Sequence, residues 1–297
     1  MHFRWRSDLK PVAEVEQEED FELSIPDSST MQVREDYTTA DMGRIDGSKF
    51  DAAVGPVWIR GAEPGDALAV EIREIVPGSW GWSAILRDFG LLKGEFEERL
   101  VIWDIGKDSA RTRGSFLRGV EVPVKPFLGV TGTAPSSGEF SLIPPQYFGG
   151  NMDNRLLTAG STLVLPVFQR GALLSAADPH ASQGDGEICG TAIETSARVR
   201  LRARVIRGGA KQIWARCAEA GRGSVLISMG IHSDIREAAR NAVRGMIDRL
   251  AGHGYSPDEA YILCSVSADL RISEIVDEPN TVVSCIIPEA LAFARQK

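Results

Sequence analysis

The chain has 297 residues and a formal net charge of −8 at pH 7. An acidic surface repels phosphate backbones, which sets general nucleic-acid binding aside, and no stretch approaches the roughly 18–20 consecutive apolar residues of a membrane span. Thirty Gly and fifteen Pro favour a turn-rich β fold over a helical bundle, and the length fits one or two domains of about 100–200 residues each.

In chain order, the opening MHFRWRSDLK places charges where a signal peptide would hold its apolar core, so a cytoplasmic location is expected. Residues 14–22 are acidic and 34–51 polar; neither carries a clear element beyond strands and loops. Residues 67–76 (ALAVEIREIV) follow the turn Pro64-Gly65-Asp66 and alternate Leu68, Val70 and Ile72 with polar neighbours, which predicts a half-buried strand. Residues 78–98, with Trp80, Trp82 and several glycines, read as a long loop with aromatic anchors. Residues 162–168 (TLVLPVF) read as a short strand. Over 194–207, Val199, Leu201, Ala203 and Val205 point one way and Arg198, Arg200, Arg202 and Arg204 the other, the period of a strand with one wet face. No aromatics interleave with the arginines, so a solvated or carboxylate-paired face explains them better than a nucleic-acid groove.

Helices come late. Ile235, Ala238, Ala239, Ala242, Val243, Met246, Ile247 and Leu250 form one helical stripe. Asp234 with Glu237 supplies a capping arrangement, and Gly252 or Gly254 a stop. Ser256-Pro257-Asp258-Glu259 then sets a cap, a first-turn proline and a capping-box glutamate for a second helix to about Val266. Residues 281–287 (TVVSCII) predict a strand and 288–296 a third helix. The sum is a mainly β protein: a β-rich body over 1–225 holding the site, and a smaller α+β part over 226–297 packed on it.

The chemistry is concentrated in residues 149–194. Asp178-Pro179-His180, followed by Gln183-Gly184-Asp185-Gly186-Glu187, gathers one imidazole, three carboxylates and an amide. In extended backbone, residues two apart share a face, so Asp178 would converge with His180 and Asp185 with Glu187. Imidazole with carboxylates suits zinc and other borderline divalent ions, and without a cation such crowding would raise at least one carboxylate pKa. The plainer alternative is an exposed polar turn. Gly149-Gly150-Asn151-Met152-Asp153 reads as a sharp turn aiming two polar side chains inward, or as an ordinary Asx turn. Asp269-x-Arg271 reads as a structural salt bridge or a carboxylate clamp. The cysteines 189, 217, 264 and 285 form no C-x-x-C pair and fit reduced, buried small residues; a nucleophilic Cys189 lacks a visible base. There is no G-x-S-x-G elbow, dinucleotide fingerprint or P-loop.

These blocks resemble the acetamidase/formamidase family. The resemblance is carried by Gly149–Asp153, by HASQGDGEICGTAIE, by Gly55-Pro56 with Gly61-Ala62-Glu63-Pro64-Gly65-Asp66, and by LCSVSADLRIS with 277–280, in order over most of 55–290. It implies an amidohydrolase releasing ammonia from a short linear amide. It further implies a β-sandwich-like body with an α+β part, a divalent metal (zinc foremost, calcium otherwise), and a homo-oligomer, dimer or higher. By position, it implies a metal and catalytic set drawn from Asn151, Asp153, Asp178, His180, Asp185 and Glu187. On that basis His180, Asp178 and Asp153 are expected as metal ligands, Glu187 as general base, Asp185 in the catalytic set, and Asn151 with the amides of Gly149-Gly150 as oxyanion donors. The chain departs from the family at two points. Where members carry histidine in HPLTGP, it has Asp51-Ala52-Ala53-Val54-Gly55-Pro56, and before GGN it has Tyr147-Phe148 in place of histidine. These departures keep two other readings open: a non-catalytic metal or small-molecule binding protein, and a hydrolase shifted to lactams or aromatic amides.

Overall fold

The computed structural model describes residues 1–209 and 212–296. Two antiparallel-dominated sheets stack face to face. The larger has eight strands in the order Asp269–Glu274, Thr281–Pro288, Gly223–His232, Ile213–Glu219, Thr162–Pro166, Ala67–Pro77, Ala197–Ile206 and Asp20–Ile25. The smaller has five, in the order Gly149–Asn151, Phe127–Gly132, Leu174–His180, Val54–Ile59 and Ala13–Val15. Leu68, Val70, Ile72, Val199 and Leu201 of the first meet Val57, Ile59, Leu128 and Leu174 of the second in one apolar core. That is the sandwich anticipated above, and the period-two alternation of its strands is what fills it.

The arginine stripe on Ala197–Ile206 faces outward, and all four guanidiniums find carboxylates: Arg198 with Glu22 at 3.5 Å, Arg200 with Glu74 at 3.7 Å, Arg202 with Asp20 at 2.6 Å and Arg204 with Glu18 at 3.4 Å. It is a cross-strand charge ladder on a wet face. Asp269 and Arg271 are likewise structural, 3.5 Å apart in a surface network with Arg222 and Glu219.

Helix α1 (Ile235–Ala251) and helix α2 (Pro257–Ser267) cover the other face of the large sheet. Asp234 caps α1 by accepting from the backbone N–H of Arg236 and Glu237, and Ser256 with Glu259 forms the capping box of α2. Val225 and Ile227 point into the sandwich while Leu226 packs under α1, so this strand is buried on both faces. A Cβ at Gly230 would collide with the backbone of Ala238 and Ala242 in α1, so the glycine sets how closely helix and strand approach. The boundary expected at 225/226 falls inside strand Gly223–His232, whose hydrogen-bonded neighbours are Ile213–Glu219 on one side and Thr281–Pro288 on the other. The helices are thus a layer on a shared sheet. The third helix is a single turn, Glu289–Ala292.

One stretch departs from expectation. Trp80–Ile85, read as loop, is a strand paired with Arg99–Ile105 in a four-stranded sheet. The glycines misled: Gly81 is there because its backbone crosses that of Glu194, where a side chain would collide. Among the described residues, no helix is long and apolar enough to cross a membrane.

Candidate active site

Strand Leu174–His180 is buried along its whole length and ends at the site. It pairs with Phe127–Gly132, which places Phe127 opposite His180, with its ring edge-on to the imidazole at 5.1 Å. On the far side of Phe127–Gly132 lies Gly149–Asn151, leading directly into Asp153. Gly129, in the middle strand, carries no side chain between these neighbours. A Cβ there would meet a carboxylate oxygen of Asp153 and lie 2.6 Å from Oδ2 of Asp178. The two acids occupy the space the glycine leaves.

His180 is 1% exposed. Its Nδ1 lies 2.8 Å from Oε1 of Gln183, whose Nε2 donates to the backbone carbonyl of Asp153 at 3.0 Å. An amide oxygen only accepts, so Nδ1 carries a proton towards Gln183 and Nε2 is the nitrogen turned to the carboxylates and available to a metal ion. Nε2 stands 3.0 Å from Oδ2 of Asp178, 3.1 Å from Oε2 of Glu194 and 4.0 Å from Oε1 of Glu187. Oδ1 of Asp153 lies 3.7 Å from Nδ1. Glu194 is held by its neighbours: its backbone exchanges hydrogen bonds with Trp82, and its Oε1 accepts from the N–H of Ala192 at 2.7 Å.

More carboxylates surround this nucleus. Asp51 and Asp277 line the same cavity, Asp27 lies against its Glu194 side and Glu274 against its Asp153 side, all buried. Asn151 Nδ2 donates to Oδ2 of Asp277 at 2.9 Å. The carboxylate of Glu274 accepts from the N–H of Val276 and of Asp277. Asp51, Asp153, Asp178 and Glu187 all have left-handed backbone, at φ 56°, 41°, 54° and 46°. Non-glycine residues hold that conformation at a cost of about 1–2 kcal/mol each, and its concentration in one cluster marks a site whose geometry is imposed by the surrounding fold.

The charges are out of balance. Burial drives Asp51, Asp178, Glu187 and Asp277 well above the usual carboxylate range, with neighbouring acids adding to it. Burial likewise raises Asp153 to about 6 and Glu274 to about 8. Burial pulls His180 down, but the charges of Asp178 and Glu194 outweigh it and hold the imidazole well above its ordinary value. Burial also pushes Glu194 up, yet His180 keeps it below the ordinary range. Both oxygens of Asp153, Oδ1 of Asp178, Oε2 of Glu194, Nε2 of His180 and Oδ1 of Asn151 are buried without a hydrogen-bond partner. Orphaned acceptors of this number are costly unless a cation meets them. Two triads offer ligand atoms within 4.8 Å of one another and share His180: Asp153 with Glu187, and Asp178 with Glu194. Imidazole with carboxylates is a donor set for zinc or another divalent ion, so the residues present fit such a group.

The fold thus gathers five of the six residues singled out in the sequence. Asp185 is the exception. It turns away from Glu187 and makes a bidentate, half-exposed ion pair with Arg155 at 2.8 and 3.1 Å. The loop is not extended there: Gly186 and Glu187 both have positive φ, which breaks the shared-face spacing assumed for the pair. The sequence reading passed over Asp27, Asp51, Glu194, Glu274 and Asp277. Asp51 stands where the family pattern has its histidine, so that departure exchanges an imidazole for a carboxylate within the cluster. Phe148, at the second departure, is buried against Trp5 and Phe140 and is apolar core.

The cavity between Asn151, Asp178, Glu187, Glu194 and Asp277 measures about 50 Å³. One water-sized sphere takes about 10–15 Å³ on this measure, so the cavity admits a reacting group of a few heavy atoms. The sequence profile of the Acetamidase/Formamidase family matches residues 1–142 and 138–293, together nearly the whole chain. The chain belongs to the acetamidase/formamidase family. It is 27% identical to the acetamidase of Mycolicibacterium smegmatis, covering 90% of this chain and 85% of that one. It is also 27% identical to the formamidase of Methylophilus methylotrophus, covering 97% and 88%. The acetamidase of Bacillus halodurans superposes with a TM-score of 0.90 at 26% identity, over 99% of this chain and 96% of that one. As an acetamidase/formamidase, the chain places its buried carboxylate–histidine cluster at the end of the small sheet of the family's sandwich.

Proposed function

We propose that this cluster hydrolyses a primary amide, RCONH2 + H2O giving RCOO⁻ and NH4⁺, with a divalent ion held by Asp178, His180 and Glu194. Family membership supports the amidase activity. The observation that carries the site is the set of orphaned acceptors around one imidazole, at the wall of a cavity sized for a small reacting group. A divalent ion bound there supplies Lewis acidity that brings the pKa of a water towards about 7. Gln183 fixes the His180 tautomer so that Nε2 points at that position. Glu187 lines the cavity, where burial strengthens its hold on a proton, and serves as general base, taking a proton from the attacking water and delivering it to the leaving nitrogen. Asn151 has one amide proton on Asp277 and a free Oδ1 facing the cavity, so it accepts from the substrate N–H2 and orients it. That role differs from the oxyanion-donor role expected for Asn151 from the sequence. Asp185, paired with Arg155 at the rim, takes no chemical part.

The test is elemental analysis of purified protein with ammonia release from formamide and acetamide, before and after chelation. Bound divalent ion and chelator-sensitive release are expected. Glu187→Gln should keep the ion and lose about 10²–10⁴ of the rate. Turnover that survives complete removal of the ion would overturn the metal role, and a fully active Glu187→Gln would remove Glu187 from the base role.

A further inference from the structure

A second cavity abuts the first. It is a groove of about 600 Å³ whose walls include Glu187 and Thr191, the two residues that also line the small reaction cavity. The groove and the reacting centre therefore adjoin at Glu187 and Thr191. Arg99, Lys125 and the Arg155–Asp185 pair line part of it, but most of its surface is apolar. Val101, Trp103, Phe116, Leu117, Ile188 and Ile193 supply it, from the strand Arg99–Ile105 and the loops on either side. Three of the polar groups beside them are committed within the wall. The Trp103 indole N–H donates to Ser83 Oγ at 2.9 Å, and the Ser83 hydroxyl donates to the Ala192 carbonyl. Thr191 Oγ1 donates to the Ala84 carbonyl at 3.0 Å and accepts from the Ala84 N–H at 2.9 Å. Phe116, Leu117 and Ile188 remain 40%, 45% and 65% exposed, a large apolar investment in water. Formamide and acetamide have nothing to place there.

We infer that the groove binds the acyl arm of the substrate, and that the preferred substrates are primary amides of medium-chain or aryl carboxylic acids, with the carboxamide in the small cavity and the apolar arm along Val101 and Trp103. This rests on the amidase reading above. The occupant is an amide arm because the groove adjoins the base Glu187 and its wall is mostly apolar, with the charged groups Arg99, Lys125, Arg155 and Asp185 taking a smaller share of it.

The experiment is a kcat/KM series over formamide, acetamide, butanamide, hexanamide and benzamide, for the metal-loaded wild type and for Val101→Asp and Phe116→Ser. Both positions are partly exposed and outside the reacting centre. Each buried methylene is worth about fourfold in kcat/KM, so hexanamide should exceed acetamide by at least tenfold. Each substitution should lower the hexanamide-to-acetamide ratio about tenfold while leaving acetamide unchanged. A wild type that prefers formamide or acetamide over every longer amide overturns the inference and leaves the amidase reading intact; no turnover of any amide overturns both. Light scattering on the same variants identifies the other occupant: Val101→Asp that changes the molecular mass without changing the ratio assigns the groove to a contact between copies of the chain and overturns the inference.

Discussion

His180 and Gln183 show how a single amide decides what a site can bind. The imidazole has Asp178 and Glu194 on its Nε2 side and Asp153 3.7 Å from Nδ1, so Asp153 could have taken the Nδ1 proton. Gln183 takes it instead, and anchors itself on the Asp153 carbonyl. Removing a partner that orients a metal-bound histidine typically costs about 10–100-fold in metal affinity. Gln183→Ala should therefore weaken zinc retention by that factor in competition with a chelating dye, while circular dichroism shows an unchanged fold. Equal zinc affinity would mean that the ring is oriented by the packing of Phe127 alone. Asp185 illustrates the opposite case. Two positions from Glu187 in a Gly-rich loop, it looked equivalent, yet backbone turns at Gly186 and Glu187 send one acid into the cluster and the other to Arg155.

At the scale of elements, the legible part of the fold was the part with a strict period. The arginine alternation of Ala197–Ile206, the apolar stripe of α1 and the capping box of α2 each follow from local spacing, and each formed as read. What the sequence hid was pairing at a distance. Trp80–Ile85 became a strand because its partners, Arg99–Ile105 and the segment at Glu194, lie elsewhere in the chain. The site was legible where its residues cluster, at Asn151, Asp153, Asp178, His180 and Glu187. Asp51, Glu274 and Asp277 were not legible as site residues because each is far along the chain from residues 149–194 and joins them only when the chain folds. The close seat of α1 on Gly230 yields a separate test. Gly230→Ala pushes a methyl into helix backbone, which cannot move aside as a side chain can. Overpacking of this kind costs about 1–3 kcal/mol, to be read as a lower urea midpoint at constant m-value. An unchanged midpoint would show that α1 shifts freely on the sheet.

For the molecule as a whole, the acid cluster links stability to both pH and metal. In the metal-free protein the carboxyls of Asp51, Asp178, Glu187 and Asp277 stand well above their unfolded values, Asp153 at about 6 and Glu274 at about 8. A raised carboxyl means that the folded state binds more protons than the unfolded one, so stability falls as pH rises through the folded values. His180, also raised, acts in the same direction. His2, lowered to about 4 by burial, is neutral in the folded protein and protonates near pH 6.5 only in the unfolded chain, so as a single group it opposes this trend at the lower end of the window. Chelator-treated protein should therefore melt at a lower temperature at pH 8.5 than at pH 6.5, and zinc at pH 8.5 should restore the difference. A chelated protein whose melting temperature climbs with pH over that window would contradict the charge imbalance on which the metal reading rests.

The cluster is drawn from the whole length of the chain: Asp27 and Asp51 from its beginning, Asn151 to Glu194 from its middle, Glu274 and Asp277 from its final hairpin. A nascent polypeptide on the ribosome holds only part of that set until its last strands emerge. Partial assemblies leave these carboxylates in water, where neither their raised pKa values nor the shaped cavity between them exists.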